Sequence, residues 1–147
     1  MIRVFADRLL DVMDKHAKDI AENWAKDIRR NPRTPSFHEF TQDDCVKFAV
    51  DFYRNFINIY FEERPYRGQV EYFTAYAERR FKEGVPLHEA IYALIMMRRH
   101  LWLYADMQTV FTSPLDQYQA VEAITKTIRL FDHAIYIITK RYGELSK

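Results

Sequence analysis

A corner near the middle of the chain constrains the fold most. The run Arg79-Arg80-Phe81-Lys82-Glu83-Gly84-Val85-Pro86-Leu87-His88-Glu89-Ala90 puts a glycine just past one helix pattern and a proline at the head of the next. Glycine is the residue that most easily adopts the left-handed turn that stops a helix. Proline wastes no amide at a helix start. Beyond the corner, apolar residues recur at Leu87, Ala90, Ile91, Leu94, Ile95, Leu101, Trp102 and Ala105, the spacing of one helical face. Two helices therefore meet at a set corner, and the second, expected over about 86–109, is long enough to cross a small domain. With only 3 Gly and 5 Pro in 147 residues, the chain has few places to turn and must be made of few, long elements.

The other segments agree. From about 2 to 30, Phe5, Leu9, Val12, Met13, His16, Ile20, Trp24 and Ile28 recur at spacings of three and four, with charged residues on the remaining faces. Asn31-Pro32-Arg33-Thr34-Pro35-Ser36 breaks this helix, and Phe37 and Phe40 are expected to pin the loop to the core. Thr41-Gln42-Asp43-Asp44 supplies a hydroxyl cap and two carboxylates for the positive end of a second helix, to about 63. Its two apolar stripes, Cys45 to Ile59 and Val46 to Phe61, place it centrally or under a second subunit. A third helix over about 69–83 presents Val70, Phe73, Ala77 and Phe81. Ser113-Pro114-Leu115-Asp116 starts the last helix, which runs to about 145 and carries Val121, Ile124, Ile128, Phe131, Ile135, Ile138 and Tyr142. That seam, alternating steps of three and four, suits shallow packing against a neighbour and makes Ile124, Ile128, Phe131, Ile135 and Ile138 candidate interface residues. No segment alternates at period two. The expected fold is all-α: about five main helices in one domain, as a helical bundle or with globin-like packing, and no sheet.

Charge and composition exclude several classes. A formal net charge of +1 gives no field to draw nucleic acid or an anionic membrane. No window is apolar enough to span a membrane, and the amino-terminal residues, broken by Arg3, Asp7 and Arg8, do not form a signal peptide. The one cysteine, Cys45, cannot form an internal disulfide, which fits a reducing compartment, so a cytoplasmic location is expected.

Reactive groups are not arranged for catalysis. No HExxH occurs, and no histidine has a Glu three residues before it, so no metal ligand set is expected. Cys45 sits in the first turn of a helix but on its apolar stripe, where a buried inert thiol is the simpler reading. His88-Glu89 reads as a solvated first turn. Three separate glycines cannot make a phosphate loop. Arg79, Arg80 and Lys82 stand among Glu78 and Glu83 and read as surface ion pairs. Arg98 differs, because it falls on the stripe of Ile91, Leu94, Ile95 and Trp102, where a guanidinium needs a partner or a ligand. His100, mid-helix beside Trp102, is the histidine best placed for a haem, although nothing else marks a haem pocket and no cofactor is expected. Trp24, Arg98, His100 and Trp102 are thus the candidate ligand pocket, with no catalytic residues.

Four stretches carry a resemblance. Ala21-Glu22-Asn23-Trp24-Ala25, the loop with Pro32 and Pro35, the corner from Arg79 to Glu89, and Leu130-Phe131-Asp132-His133-Ala134-Ile135-Tyr136 resemble, in matching order, the RsbRD-type N-terminal domain. That domain is the sensor half of RsbT co-antagonists and precedes some bacterial histidine kinases. The resemblance implies a helical, homodimeric input module without catalytic residues, acting on a protein partner of kinase or STAS type. Within these 147 residues no STAS or kinase domain is expected, so the chain is expected to be either a free-standing version or the input part of a longer protein. The resulting expectation is a non-catalytic sensory domain that passes a signal through helix rearrangement. The alternative is a helical protein binding haem or a small hydrophobic ligand.

Overall fold

The computed structural model describes residues 2–107 and 114–147, with side chains over 9–104 and 121–147. The order is α1 (Ile2–Ile28), a 3-10 turn (Pro35–Phe37), α2 (Gln42–Ile59), α3 (Arg67–Lys82), α4 (Leu87–Met107) and α5 (Pro114–Leu145). Among the described residues there is no strand, and the all-α expectation holds. None of these helices is long and apolar enough to cross a membrane. Phe5 as a core residue and the expected caps at Ser113 and Asp116 lie outside the described side chains.

Local chemistry accounts for the ends. Thr41 Oγ1 accepts the Asp44 amide at 3.1 Å, and Asp43 and Asp44 occupy the first turn of α2, as capping predicts. At the corner, Gly84 takes φ 80°, the Val85 amide reaches back to the Arg80 carbonyl at 3.0 Å, and the Gly84 amide to Phe81 at 3.0 Å. These two bonds are the Schellman pattern, so the glycine stops α3 as its sequence position implied. α2 ends four residues before the expected 63, because the chain beyond Ile59 serves the next helix. Both oxygens of Glu62 accept amides of α3, from Gly68 and Gln69, each at 2.8 Å. They stand in for Tyr66, which precedes the helix in the left-handed region (φ 56°) and makes no cap bond of its own. A Cβ on Gly68 would lie 2.5 Å from Glu62 Oε2, so glycine is what admits the carboxylate.

Buried residues from all five helices form one cluster, with α1 packed most extensively on α2 and α3 on α5. The loop after α1 is pinned as expected, with Phe37 fully buried and Phe40 against it. α4 is the spine. Its carbonyls at Ala90, Ala93 and Met97 accept bonds from Tyr76 of α3 (2.7 Å), Trp24 of α1 (3.0 Å) and Tyr53 of α2 (2.8 Å). Tyrosine and tryptophan each bring a large apolar body and one donor that must be satisfied when buried. Much of the aromatic surplus is therefore structural: three helices are hooked to the backbone of a fourth. Burial pushes the phenols of Tyr53 and Tyr76 up from their ordinary range.

The expected face of α3 is corrected. Phe73 and Ala77 are buried, but Val70 and Phe81 are exposed, and the inner face is completed by Gln69, Tyr76 and Arg80. Arg80, a charged residue, takes the core side in place of Phe81.

Candidate functional site

The four candidate pocket residues separate into three places. Trp24 is wholly buried between Phe37 (6.5 Å, edge-on) and Phe48 (5.9 Å), its indole nitrogen already donating to Ala93. It is a core residue, not a pocket wall. His100 points to α1, its Nε2 2.8 Å from Asp27 Oδ2, so the nitrogen that would ligate an iron is committed to tying α4 to the end of α1. Arg98 and Trp102 do come together. They line an open cleft of about 710 Å³ between α4 and α5, with Tyr92, Ile95, Leu103 and Ile128. The Arg98 guanidinium lies 5.4 Å over the ring of Phe131, which gives the half-buried cation the partner the stripe required.

The candidate interface residues divide as well. Phe131 and Ile138 are core, Ile124 and Ile135 are half-buried, and Ile128 is 41% exposed. The inner face of α5 is instead Ala123, Thr127, Leu130, Phe131, Ala134, Ile137, Ile138 and Tyr142. The physical reason is the period. A stripe stepping at 3.5 residues drifts by about 20° per heptad against a 3.6-residue helix, or roughly 60° over the three heptads from Val121 to Tyr142. It begins in solvent, with Val121 61% exposed, and ends in the core, with Tyr142 buried.

Two charged groups expected at the surface are buried. Arg80 is 3% exposed, with its guanidinium 4.4 Å over Phe48, 4.9 Å over Phe37, 5.2 Å over Tyr76 and 5.8 Å over Phe40. Nη1 donates to Glu83 Oε1 at 2.8 Å, while Nε has no partner. Burial works against the charge, and Tyr76 and Glu83 outweigh it, so the pKa is held above its ordinary value. The expected pairing with Glu83 is present, but inside an aromatic cage that joins the end of α3 to the 31–41 loop. Cys45 lies in the same region, buried, and its thiol is pushed up by desolvation. His88 is exposed as expected, whereas Glu89 is buried, Oε1 accepting the Ser36 amide at 2.8 Å and Oε2 the Ser36 hydroxyl at 3.0 Å. Ser-after-Pro in the loop was the available signal, but its partner lies 53 residues away.

A second cleft, about 750 Å³, was not foreseen. It lies between the α2–α3 turn and the amino-terminal half of α5, lined by Tyr60, Tyr66, Lys126, Arg129 and His133 among others. His133 Nδ1 is 2.8 Å from Gln69 Oε1, and Tyr66 stacks edge-on against its ring at 5.3 Å. Among the described residues no three His, Cys, Asp or Glu side chains converge as a metal site would require. No protein-family model, curated protein or solved structure matches the chain.

Proposed function

We propose that this chain is a non-catalytic regulatory input module, homodimeric, that passes a signal through helix rearrangement to a protein partner of kinase or STAS type in the cytoplasm. The observation that carries the reading is the outward face of α4 and α5. Leu103 is 49% exposed and Ile128 41%, both on the cleft of Arg98 and Trp102, and Val121 and Ile124 continue the α5 stripe at helical spacing. Apolar side chains gathered on one face mark interaction surfaces more often than scattered ones do. The resemblance to RsbRD-type N-terminal domains supports the same reading and gives the partner its class. α5 is the transmitting element, since its outer stripe belongs to the interface while its inner stripe belongs to the core. A ligand or partner preferring one packing of α5 would shift its population.

Sedimentation equilibrium on the wild-type chain and on the Leu103→Glu, Ile128→Glu double variant tests this. The wild type is expected to be a dimer, and the double variant a monomer with unchanged helical circular dichroism. A wild type that stays monomeric at high micromolar concentration would refute the dimeric reading.

A further inference from the structure

We infer that the cleft between the α2–α3 turn and α5 binds a small carboxylate carried on an apolar or aromatic body, with Lys126 and Arg129 donating to the carboxylate and His133 lining the site beside them. The inference is independent of the α4–α5 face, which lies on other residues.

Helical spacing provides the first argument. Residues 126, 129 and 133 are separated by three and four, so their side chains follow one another along one face of α5, and all three line the cleft. The second concerns Lys126. Glu122 stands four residues earlier, the favoured position for an ion pair on a helix. The Lys126 ammonium instead lies 4.7 Å over Phe61 and 5.5 Å over Tyr60, on the cleft wall. A cation held over aromatic faces rather than neutralised keeps its N–H donors for an incoming anion.

His133 gives the third argument. Gln69 is buried, and its amide nitrogen lies 3.4 Å from the Ile59 carbonyl, which turns its oxygen toward His133. An amide oxygen only accepts, so Nδ1 of His133 carries the hydrogen there. The remaining ring nitrogen, Nε2, is left as an acceptor, suited to the ammonium of a zwitterionic ligand and not to its carboxylate. The ligand's chemistry follows from the balance of the lining. Arg64, Lys126 and Arg129 are matched by Glu62, Glu63 and Glu122, with Glu62 spent on the amides of Gly68 and Gln69. Zero net charge disfavours a polyanion and admits a single carboxylate, or a zwitterion whose ammonium meets Glu122. Tyr60, Phe61 and Tyr66 provide the surface for its apolar body.

The test is nuclear magnetic resonance of the labelled full chain, titrated at constant ionic strength with sodium benzoate, L-phenylalanine or inorganic phosphate. Saturable shifts of the His133 ring with benzoate or L-phenylalanine are expected, and a tighter site for L-phenylalanine would add Glu122 as the ammonium acceptor. Lys126→Gln with Arg129→Gln should weaken binding by about tenfold or more, since each removes a charge-assisted bond. Arg99→Gln, on the other cleft, should leave it unchanged. Thr125→Trp, which fills the cleft from an exposed position, should abolish binding without touching a donor. Linear shifts with both carboxylates, saturation by phosphate alone, or a Thr125→Trp variant that binds like wild type would overturn the inference.

Discussion

The two halves of α5 are one helix by sequence and two different objects in the fold. From Leu130 onward, Phe131, Ala134, Ile137, Ile138 and Tyr142 are buried. The Tyr142 hydroxyl donates to the Val85 carbonyl at 2.8 Å, and Arg141 pairs with Glu78 at 2.7 Å, so this half is fastened to the corner and to α3. Between Val121 and Arg129, only Ala123 and Thr127 are buried. They are small, they let Tyr60 reach the Ala123 carbonyl at 3.1 Å, and they contribute little apolar area. Of the large apolar residues of that half, Val121 and Ile128 face outward and Ile124 is half-buried. The difference assigns stability to the carboxy-terminal half and recognition to the amino-terminal half, which gives Glu122, Thr125, Lys126 and Arg129 to one cleft and Ile128 to the other.

The largest expected effect tests the stability side. Phe131 contacts Phe52 at 6.1 Å and Phe56 at 5.9 Å and carries Arg98 over its ring. Phe131→Ala removes that buried ring and leaves a cavity, so it should cost about 3–5 kcal/mol. Against a total stability of about 5–15 kcal/mol, that is enough to bring the domain near unfolding. Urea denaturation followed by circular dichroism reads it directly, and a loss below about 1 kcal/mol, the scale of a peripheral substitution, would break the proposed division of α5.

What the sequence made legible follows the same line between local and distant causes. The Thr41 cap and the Gly84 stop are set by residues within a turn of one another and lie where expected, whereas the α4 stripe is only partly so, with Ala90, Leu94 and Leu101 buried and Ile91, Ile95 and Trp102 half-buried. The Arg80 cage was not legible, because its four rings come from the loop, α2 and α3, and a charged residue near a helix end ordinarily reaches for water. Glu89 hid for the same reason, its partner Ser36 being remote in sequence. Trp24 and His100 stand out in the sequence by residue type. Their partners, Ala93 and Asp27, sit on other helices, so residue type alone pointed to a pocket where the fold makes tethers. The phase of α5 failed through a tenth of a residue per turn, accumulated over 21 positions.

A middle-sized effect comes from the anchor itself. Tyr142→Phe keeps the ring, which packs edge-on against Phe81 at 5.5 Å, and removes only the bond to Val85. The loss should be about 1 kcal/mol near neutral pH, with the Val85 carbonyl left to water or to itself. The phenol is also a pH probe. Burial pushes its pKa up to about 12 from an ordinary value near 10, so the folded state holds the proton more tightly than the unfolded chain. Its contribution is therefore complete below about pH 10 and is lost as pH rises through about 12. Alkaline unfolding of Tyr142→Phe, compared with wild type, should show a shallower fall in stability across that window. An identical slope would mean that Tyr142 is not buried as a neutral donor.

The smallest expected change in stability is the most informative for the recognition side. Ile128 is 41% exposed on the cleft shared with Arg98 and Trp102, so Ile128→Ser removes a side chain that the folded monomer barely uses. Its unfolding free energy at low protein concentration should lie within about 0.5 kcal/mol of wild type. At high concentration the comparison changes. If Ile128 is covered by a second copy, the wild-type midpoint rises with concentration by mass action, and the variant's rises less. Stability of the variant equal to wild type in dilute solution and inferior in concentrated solution would separate the two halves of α5 in a single experiment. A substantial loss in dilute solution would instead place Ile128 in the core of the monomer and erase the distinction, whereas parallel behaviour at every concentration would leave the exposed stripe without a partner of its own kind and direct attention to a heterologous one.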